Sequence, residues 1–582
     1  MLQYGWQDSS AKYYAYQRPD QMNLRTAPES LQILKNESFA VQLLLWSDED
    51  THYALDHDRI SWRGIHLNTY RVAVTPWFRR DGKKSSAGSP SLNFVDYVMD
   101  DEGRLTSDPL VPDRGIERNA GCFQGLWISG CFEDTLNEGD YVSEITIFAQ
   151  NGYEDEIIVE KFSLEARLLS EKITQPINDE FFLDLWQHPS NWARTYKVPM
   201  WSEEHFEIIR THLLEMARLG QKVVTIICSD YPWAGQRCYQ IMKNSSNLFE
   251  HNMVQVQKNS DGTFKYDFDV IKKYIEIARS VGIQAEIDLF GLLGNWDAYS
   301  FGNPVEAYRD PIRIKYRNEK DGTYSYMATV EEIKDYIKSL FEELYKMGVW
   351  EKIRVICDEP DHPKSFEENV GFLQELAPAK LEIKSAIHVP DIMPLSTKVM
   401  TDVSLGINVL GEQKGDVSQI HEALRDKNGT LTWYVCCFPN RPNNFISSPR
   451  LENRLIGWLT HYFNLDGFLR WDFAIWPDKP YEDASFKYPK WTAGDMFFVY
   501  PGANMKPVRS QRLENLLFGI QDFQLLRLCG KRTEHNSQLE QLLGEKSNLV
   551  VHNLDIDMEY SLDYERYMDY RNDMLRYISG SN

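Results

Sequence analysis

Asp358-Glu359 is the pair of residues in this 582-residue sequence best placed to do chemistry. It follows the apolar run Val355-Ile356-Cys357 and precedes Pro360. Two carboxyl groups leaving a buried strand together must be either desolvated or used. Neighbours within a strand point to opposite faces. At the strand's last residue the chain can twist, and Pro360 fixes its exit, so both groups can reach one opening. Paired acids at such an opening are what glycoside hydrolysis needs: one protonates the leaving oxygen and the other stabilises the cationic centre. Adjacent residues are tied too closely to flank a sugar from opposite faces. The adjacency favours a scheme in which the substrate's own 2-acetamido group is the nucleophile, one carboxylate orients it, and the neighbour is acid/base. Asp358, Asp361 and His362 form an alternative metal-ligand set of weak specificity, with His188 the only other histidine nearby, so no metal or cofactor is expected.

The second signal is aromatic. Trp186-Gln-His188-Pro-Ser-Asn-Trp192, Trp433-Tyr434, Arg470-Trp471-Asp472 and Trp476 all fall near expected strand ends. Sugar C–H faces stack on aromatic rings, and sugar hydroxyls seek Asp, Arg, His and Asn. Trp186, His188, Tyr434, Trp471, Asp472 and Trp476 are therefore the candidate substrate-binding residues, with core packing the competing use of each aromatic.

The elements that must hold these residues fall into two regimes. Up to about residue 170 the apolar period is two, as in Phe162-Ser-Leu-Glu-Ala-Arg-Leu168, which reads as a half-buried strand. Similar strands are expected at 39–46, 65–74, 125–132 and 141–149, with Asn137-Glu-Gly-Asp140 as a hairpin turn between the last two. The expectation for residues 1–172 is an antiparallel β-sandwich. From 173 to 582, strands alternate with helices. Strands are expected at 181–186, 222–229, 283–290, 353–359, 381–389, 403–409, 431–438 and 467–476. Helices are expected between them, two opened by the capping boxes Thr329–Glu332 and Ser365–Glu368. Eight such units predict a parallel (β/α)₈ barrel with a C-terminal helical extension. A doubly wound sheet ranks second, because no Gly-rich fingerprint follows any strand.

Composition narrows the partners. Asp and Glu number 86 against 63 Lys and Arg, a net charge of −23, which repels nucleic acid and anionic lipid. No apolar run approaches the length of a membrane span, and the 16 tryptophans fit a ligand with flat apolar faces. The eight cysteines lack C-x-x-C spacing. Several sit in apolar strand-like contexts, including the Cys436-Cys437 pair, where cysteine acts as a small hydrophobe. With no signal peptide visible, a reduced cytoplasmic protein is expected, a secreted mature form being the alternative.

The sequence also resembles a known family. Asp358-Glu359-Pro360 resembles the catalytic dyad of glycoside hydrolase family 123, the β-N-acetylgalactosaminidases. Leu185-Trp186-Gln-His188-Pro189 is similar to that family's first barrel strand. Asp466-Gly467-Phe-Leu-Arg470-Trp471, Gly494-Asp495 through Tyr500-Pro501-Gly502, Ser510-Gln-Arg512-Leu-Glu514 and Gly519-Ile-Gln-Asp522 are similar to its later motifs. Arg470 stands where Tyr is common, and Met496 where Gly is common. The resemblance covers about residues 180–530. It implies a retaining exo-hydrolase of terminal β-linked N-acetylgalactosamine on glycans, including those of glycosphingolipids. Asp358 would orient the 2-acetamido group, and Glu359 would be acid and then base. The alternatives are a hexosaminidase preferring GlcNAc, and a non-catalytic glycan-binding protein whose sandwich acts through Trp62, Trp77 and Trp127.

Overall fold

A computed structural model describes residues 2–55, 68–80, 85–232, 249–293, 312–412, 417–485, 491–530, 533–552 and 555–580. Trp62 and part of the strand expected at 65–74 lie outside them.

The N-terminal part is a two-sheet sandwich. One sheet orders its strands Leu2–Asp8, Ser38–Ser47, Phe123–Cys131, Ser91–Met99 and Leu105–Val111, all antiparallel. The other is built on the long hairpin Gly139–Asn151 with Ile157–Lys172. It includes two parallel pairings, Leu31–Lys35 on Ile157–Lys172 and Thr51–Leu55 on Asn68–Val74. Period two is met in the core: Leu164, Ala166 and Leu168 are buried while Ser163 and Arg167 face water.

The expected hairpin at Asn137–Asp140 is a correction. The strand before it pairs in the first sheet and the strand after it in the second, so this turn carries the chain between sheets. Its Gly and Asp mark a sharp reversal, which sheet crossing needs as much as a hairpin does. Trp77 and Trp127 are buried, and Trp127 stacks on Phe518 of the barrel's long helix. Their aromatic surface serves packing.

Eight parallel strands follow: β1 Phe182–Leu185, β2 Val223–Ile227, β3 Glu286–Phe290, β4 Ile353–Asp358, β5 Ile383–Ile387, β6 Asp402–Gly406, β7 Leu431–Tyr434 and β8 Gly467–Arg470. β1 pairs with β8, and each later strand pairs with the next from β2 onward. Between β1 and β2 the seam is made by a Leu183–Gln221 bridge, Lys222 N–H donating to the Leu183 carbonyl, and the Gln221 side chain accepting from Leu185 N–H. The barrel is thereby nearly closed. Several boundaries differ from expectation, among them the ends of β7 at Tyr434 and β8 at Arg470. Ile407–Glu412 is helical rather than the end of a strand, and the helix expected from Ser365 begins at Pro363. Proline at the first helical position needs no N–H partner and competes successfully with the Ser365 cap. The Thr329–Glu332 capping box forms as expected. No helix among the described residues is long and apolar enough to cross a membrane.

The barrel interior carries charge. Lys384 of β5 is 2% exposed and reaches Asp184 of β1 at 2.6 Å, with Glu286 and Asp288 of β3 at 2.6 and 3.0 Å. Alternate strands supply one layer, as barrels require. Burial, with Glu286 and Asp184 adding to it, pushes Asp288 well above the carboxylate range despite Lys384. Arg354 reaches only the Glu286 edge of this layer, at 3.8 Å, so removing Lys384 strands acids in the interior. Lys384→Met is expected to lose about 3–5 kcal/mol of stability in urea denaturation at neutral pH. A loss below about 1 kcal/mol would show that this layer does not rely on the pairing.

Candidate active site

At the end of β4, Asp358 closes the strand and Glu359 adopts a left-handed backbone with φ +50°. Such a conformation disfavours a side-chain-bearing residue by about 1–2 kcal/mol, and strain of this kind gathers at functional positions. It replaces the strand pleat, which would send the two side chains to opposite faces. Glu359 N–H still donates to the Ala386 carbonyl of β5 at 3.1 Å, so the turn stays attached to the barrel. Its carboxylate accepts a 2.6 Å hydrogen bond from the Tyr434 hydroxyl at the end of β7. The other oxygen lies 3.6 Å from His388 Nδ1, just past the end of β5. Burial, and then the Glu359 charge, push the Tyr434 phenol well above its usual range, so it remains a donor. The carboxylate is thus held by a hydrogen bond from β7, with the His388 ring nearby at the end of β5.

A second group forms where β1 and β8 end. His188 Nε2 lies 3.1 Å from the Trp471 carbonyl and 3.2 Å from Asp472 Oδ1. A carbonyl only accepts, so Nε2 carries the proton. Burial lowers His188 well below its ordinary range and raises Asp472 well above its own, so the pair lies neutral beneath the surface. Glu250 adds repulsion to Asp472. Glu250 itself accepts from the N–H groups of Ser190 and Asn191 at 2.9 and 3.2 Å, the free donors at the start of the helix Pro189–Tyr196.

Trp471 is half-buried, with its indole N–H donating to Asp495 at 3.2 Å and its ring 5.8 Å from Trp491. Trp186 is buried against Phe290 of β3. Trp476 is buried, donates to the Val499 carbonyl and packs edge-on against Tyr196. Trp192 and Trp433 are likewise interior. Glu359 and Tyr434 therefore meet between the ends of β4 and β7, with the Asp358 charge acting on the same phenol. His188, Trp471 and Asp472 meet at the ends of β1 and β8. Trp186 and Trp476 present no surface to solvent. Asp361 and His362 face each other at 3.5 Å, and no third metal-ligating side chain joins them among the described residues.

A family model described as the glycoside hydrolase 123 catalytic domain matches residues 186–529. The chain belongs to glycoside hydrolase family 123. In fold it is similar to a family 123 glycoside hydrolase from Clostridium perfringens that was studied for glycolipid glycan hydrolysis. The TM-score is 0.77 at 17% identity, covering 100% of this chain and 99% of that one. A β-D-glucuronidase from Dictyoglomus thermophilum aligns with a TM-score of only 0.30 at 8% identity, over 87% of this chain and 72% of that one. No curated protein matches the sequence.

The family 123 motifs in this chain prove to be largely architectural. Gly467 lies where a Cβ would meet the Phe182 carbonyl oxygen at 1.9 Å. Gly519 packs against the backbone of Arg454, where the helices Arg450–Tyr462 and Gln511–Cys529 cross. Asp522 pairs with Arg454 and Arg571. Arg470, the departure from the usual Tyr, is wholly buried. It donates to the Val435 carbonyl, to Asn443 and to Asp495, tying the chain after β7 to the chain after β8. Met496 is buried, and its carbonyl accepts from Ile475 N–H. His388 and Asp495 escaped the sequence reading. His388 was findable, since it lies at the end of the expected strand 381–389. Asp495 follows no strand, and only its motif marks it.

Asp495 gives this site a pH signature. Burial raises it to about 6, and Arg470 only partly opposes that. The native state then binds this proton more tightly than the unfolded chain does. The contribution to stability is full below about pH 4 and is lost as pH rises through about 6. The stability of the wild type relative to Asp495→Asn is expected to fall by a few kcal/mol, about 3 at most, between pH 4 and 6, then level off. Parallel denaturation profiles for the two proteins would overturn this.

Proposed function

We propose that this chain is a retaining exo-glycosidase that releases terminal β-linked N-acetylgalactosamine by substrate-assisted catalysis. The observation that carries the reading is the adjacent pair Asp358-Glu359, with Glu359 turned by its left-handed backbone and held by Tyr434. Two acids joined by one peptide unit suit a mechanism in which the nucleophile comes from the substrate.

In this scheme Asp358 accepts the acetamido N–H and orients its carbonyl oxygen toward the anomeric carbon. That oxygen attacks as the glycosidic bond breaks, giving an oxazolinium ion whose N–H stays hydrogen-bonded to the Asp358 carboxylate. Glu359 donates its proton to the leaving oxygen. It then removes a proton from water, which opens the oxazolinium ring from the same face as the departed group. The configuration is retained by two inversions. Tyr434 orients Glu359, and Trp471, with its partly open ring, is the stacking surface for the sugar's apolar face. His188 and Asp472 support the Trp471 backbone from beneath, and Trp186 and Trp476 shape the wall. The Clostridium protein's work on glycolipid glycans makes a glycosphingolipid glycan the natural substrate class to try first.

The test is hydrolysis of aryl β-N-acetylgalactosaminides and aryl β-N-acetylglucosaminides. Glu359→Gln is expected to lower kcat/KM by about 10²–10⁴-fold, with the smallest loss on the best leaving group. Asp358→Asn is expected to lose activity on every leaving group, and a thiazoline mimic of the oxazolinium ion is expected to inhibit. Unchanged turnover in Glu359→Gln would sink the assignment. Faster release of N-acetylglucosamine would redirect it.

A further inference from the structure

Beyond β7 the chain runs Val435-Cys436-Cys437-Phe438. The expected strand 431–438 stops at Tyr434, so the two cysteines leave the apolar sheet for the rim of the barrel. Cys437 is exposed and Cys436 half-buried. Their sulfurs stand 3.9 Å apart. The bond to Cys437, then burial, then the charges of Glu359 and Asp495 push the Cys436 thiol well above its ordinary range. Cys436 therefore senses both halves of the site, the Glu359 side and the Asp495 side.

Two outcomes for such a pair can be weighed by distance. A disulfide usually spans Cα atoms about 4.4–6.8 Å apart, whereas adjacent Cα atoms are fixed near 3.8 Å. Closing the sulfurs to about 2.05 Å would also demand strain. A tetrahedral thiophilic cation needs far less movement. With metal–sulfur bonds of about 2.3 Å, two ligand sulfurs sit about 3.8 Å apart. The observed spacing matches that geometry.

We propose that Cys436 and Cys437 form a bidentate binding site for a thiophilic divalent cation at the rim of the barrel mouth. Binding displaces two thiol protons to solvent, forms two metal–sulfur bonds and moves no electrons. Water completes the coordination. The chain that carries this metal begins two residues after Tyr434, the donor to Glu359, so occupancy is expected to slow turnover. That consequence rests on the proposed function, whereas the binding does not.

The experiment titrates the full-length protein with Cd²⁺ alone, whose thiolate complexes absorb in the ultraviolet. The wild type is expected to develop this absorption with one equivalent. Cys437→Ser should lose it or require at least tenfold more metal, and Cys131→Ser, which removes another exposed thiol, should behave as wild type. An equal absorption in Cys437→Ser, or none in the wild type, overturns the site. In parallel, aryl-glycoside turnover by the wild type should fall with the rise in absorption and recover on chelation. Cys437→Ser should keep its basal rate and resist the metal. Full turnover by metal-saturated wild type overturns the regulatory consequence. An inactive metal-free wild type would count against the proposed function, while the absorption would still decide the site.

Discussion

Arg512 and Asp108 meet at 2.9 Å in a dry interior, one from the barrel's long helix and the other from a sandwich strand. Neither side chain touches solvent. The Tyr500 hydroxyl donates to the same Asp108 oxygen at 2.6 Å. The free end of Arg512 converges on the carbonyls of Asn444, Gly494 and Phe497. These belong to the segments that follow β7 and β8, which carry Asp495 and lead to Trp471. A buried guanidinium without its carboxylate is strongly destabilising, so the sandwich supplies the charge that lets Arg512 organise the barrel's rim. Beside it, Leu110 N–H donates to the Arg509 carbonyl and Arg450 donates to the Ser107 carbonyl. The sandwich is thus part of the scaffold of the site.

The interior resolves its many acids in three ways, each readable from what lies beside the group. Asp184 has a cation, Lys384, within 2.6 Å. Glu250 has the free N–H groups of a helix start. Asp472 has neither, and burial keeps it protonated. Glu359 differs from all three. Its side chain keeps 15% exposure while accepting from Tyr434, so it is held in place without being sealed off. A carboxyl group that must exchange protons with a ligand needs that combination of constraint and access.

Much of this was legible in the residues. Eight apolar segments alternating with helix patterns predicted eight strands, and the Asp358-Glu359 pair marked the end of the fourth. Strand ends were read too long at β6, β7 and β8, because apolar residues continue past each strand into buried rim segments, where Ile407, Val435 and Phe473 pack as core. The charged layer was visible as Glu286-Ile-Asp288 and Lys384, but nothing local tells which face of a strand looks inward. The tryptophans were harder. Trp186, Trp192, Trp433 and Trp476 all fall near strand ends and all are interior: Trp433 lies within β7 and donates to Thr460 of the covering helix, and the others sit in rim segments that fold back over the barrel as further core. Trp471 alone among the five keeps an open face, and the sequence does not distinguish it. The Asn137–Asp140 turn failed for a related reason, since local chemistry specifies a reversal without saying which sheet receives the chain.

The joining of two carboxylates by a single peptide unit has a consequence for motion. In a barrel whose acids come from separate strands, every relative shift of those strands changes the gap between them. Here the Cα–Cα separation of Asp358 and Glu359 is set by covalent geometry at about 3.8 Å, and it survives any breathing of the barrel wall. What remains free is the rotation of the Glu359 side chain, and that is damped by the hydrogen bond from Tyr434, which rides on another strand. Thermal movement of the barrel is thereby converted from a change in spacing into a change in angle, and the Tyr434 hydroxyl is the tether against the angle.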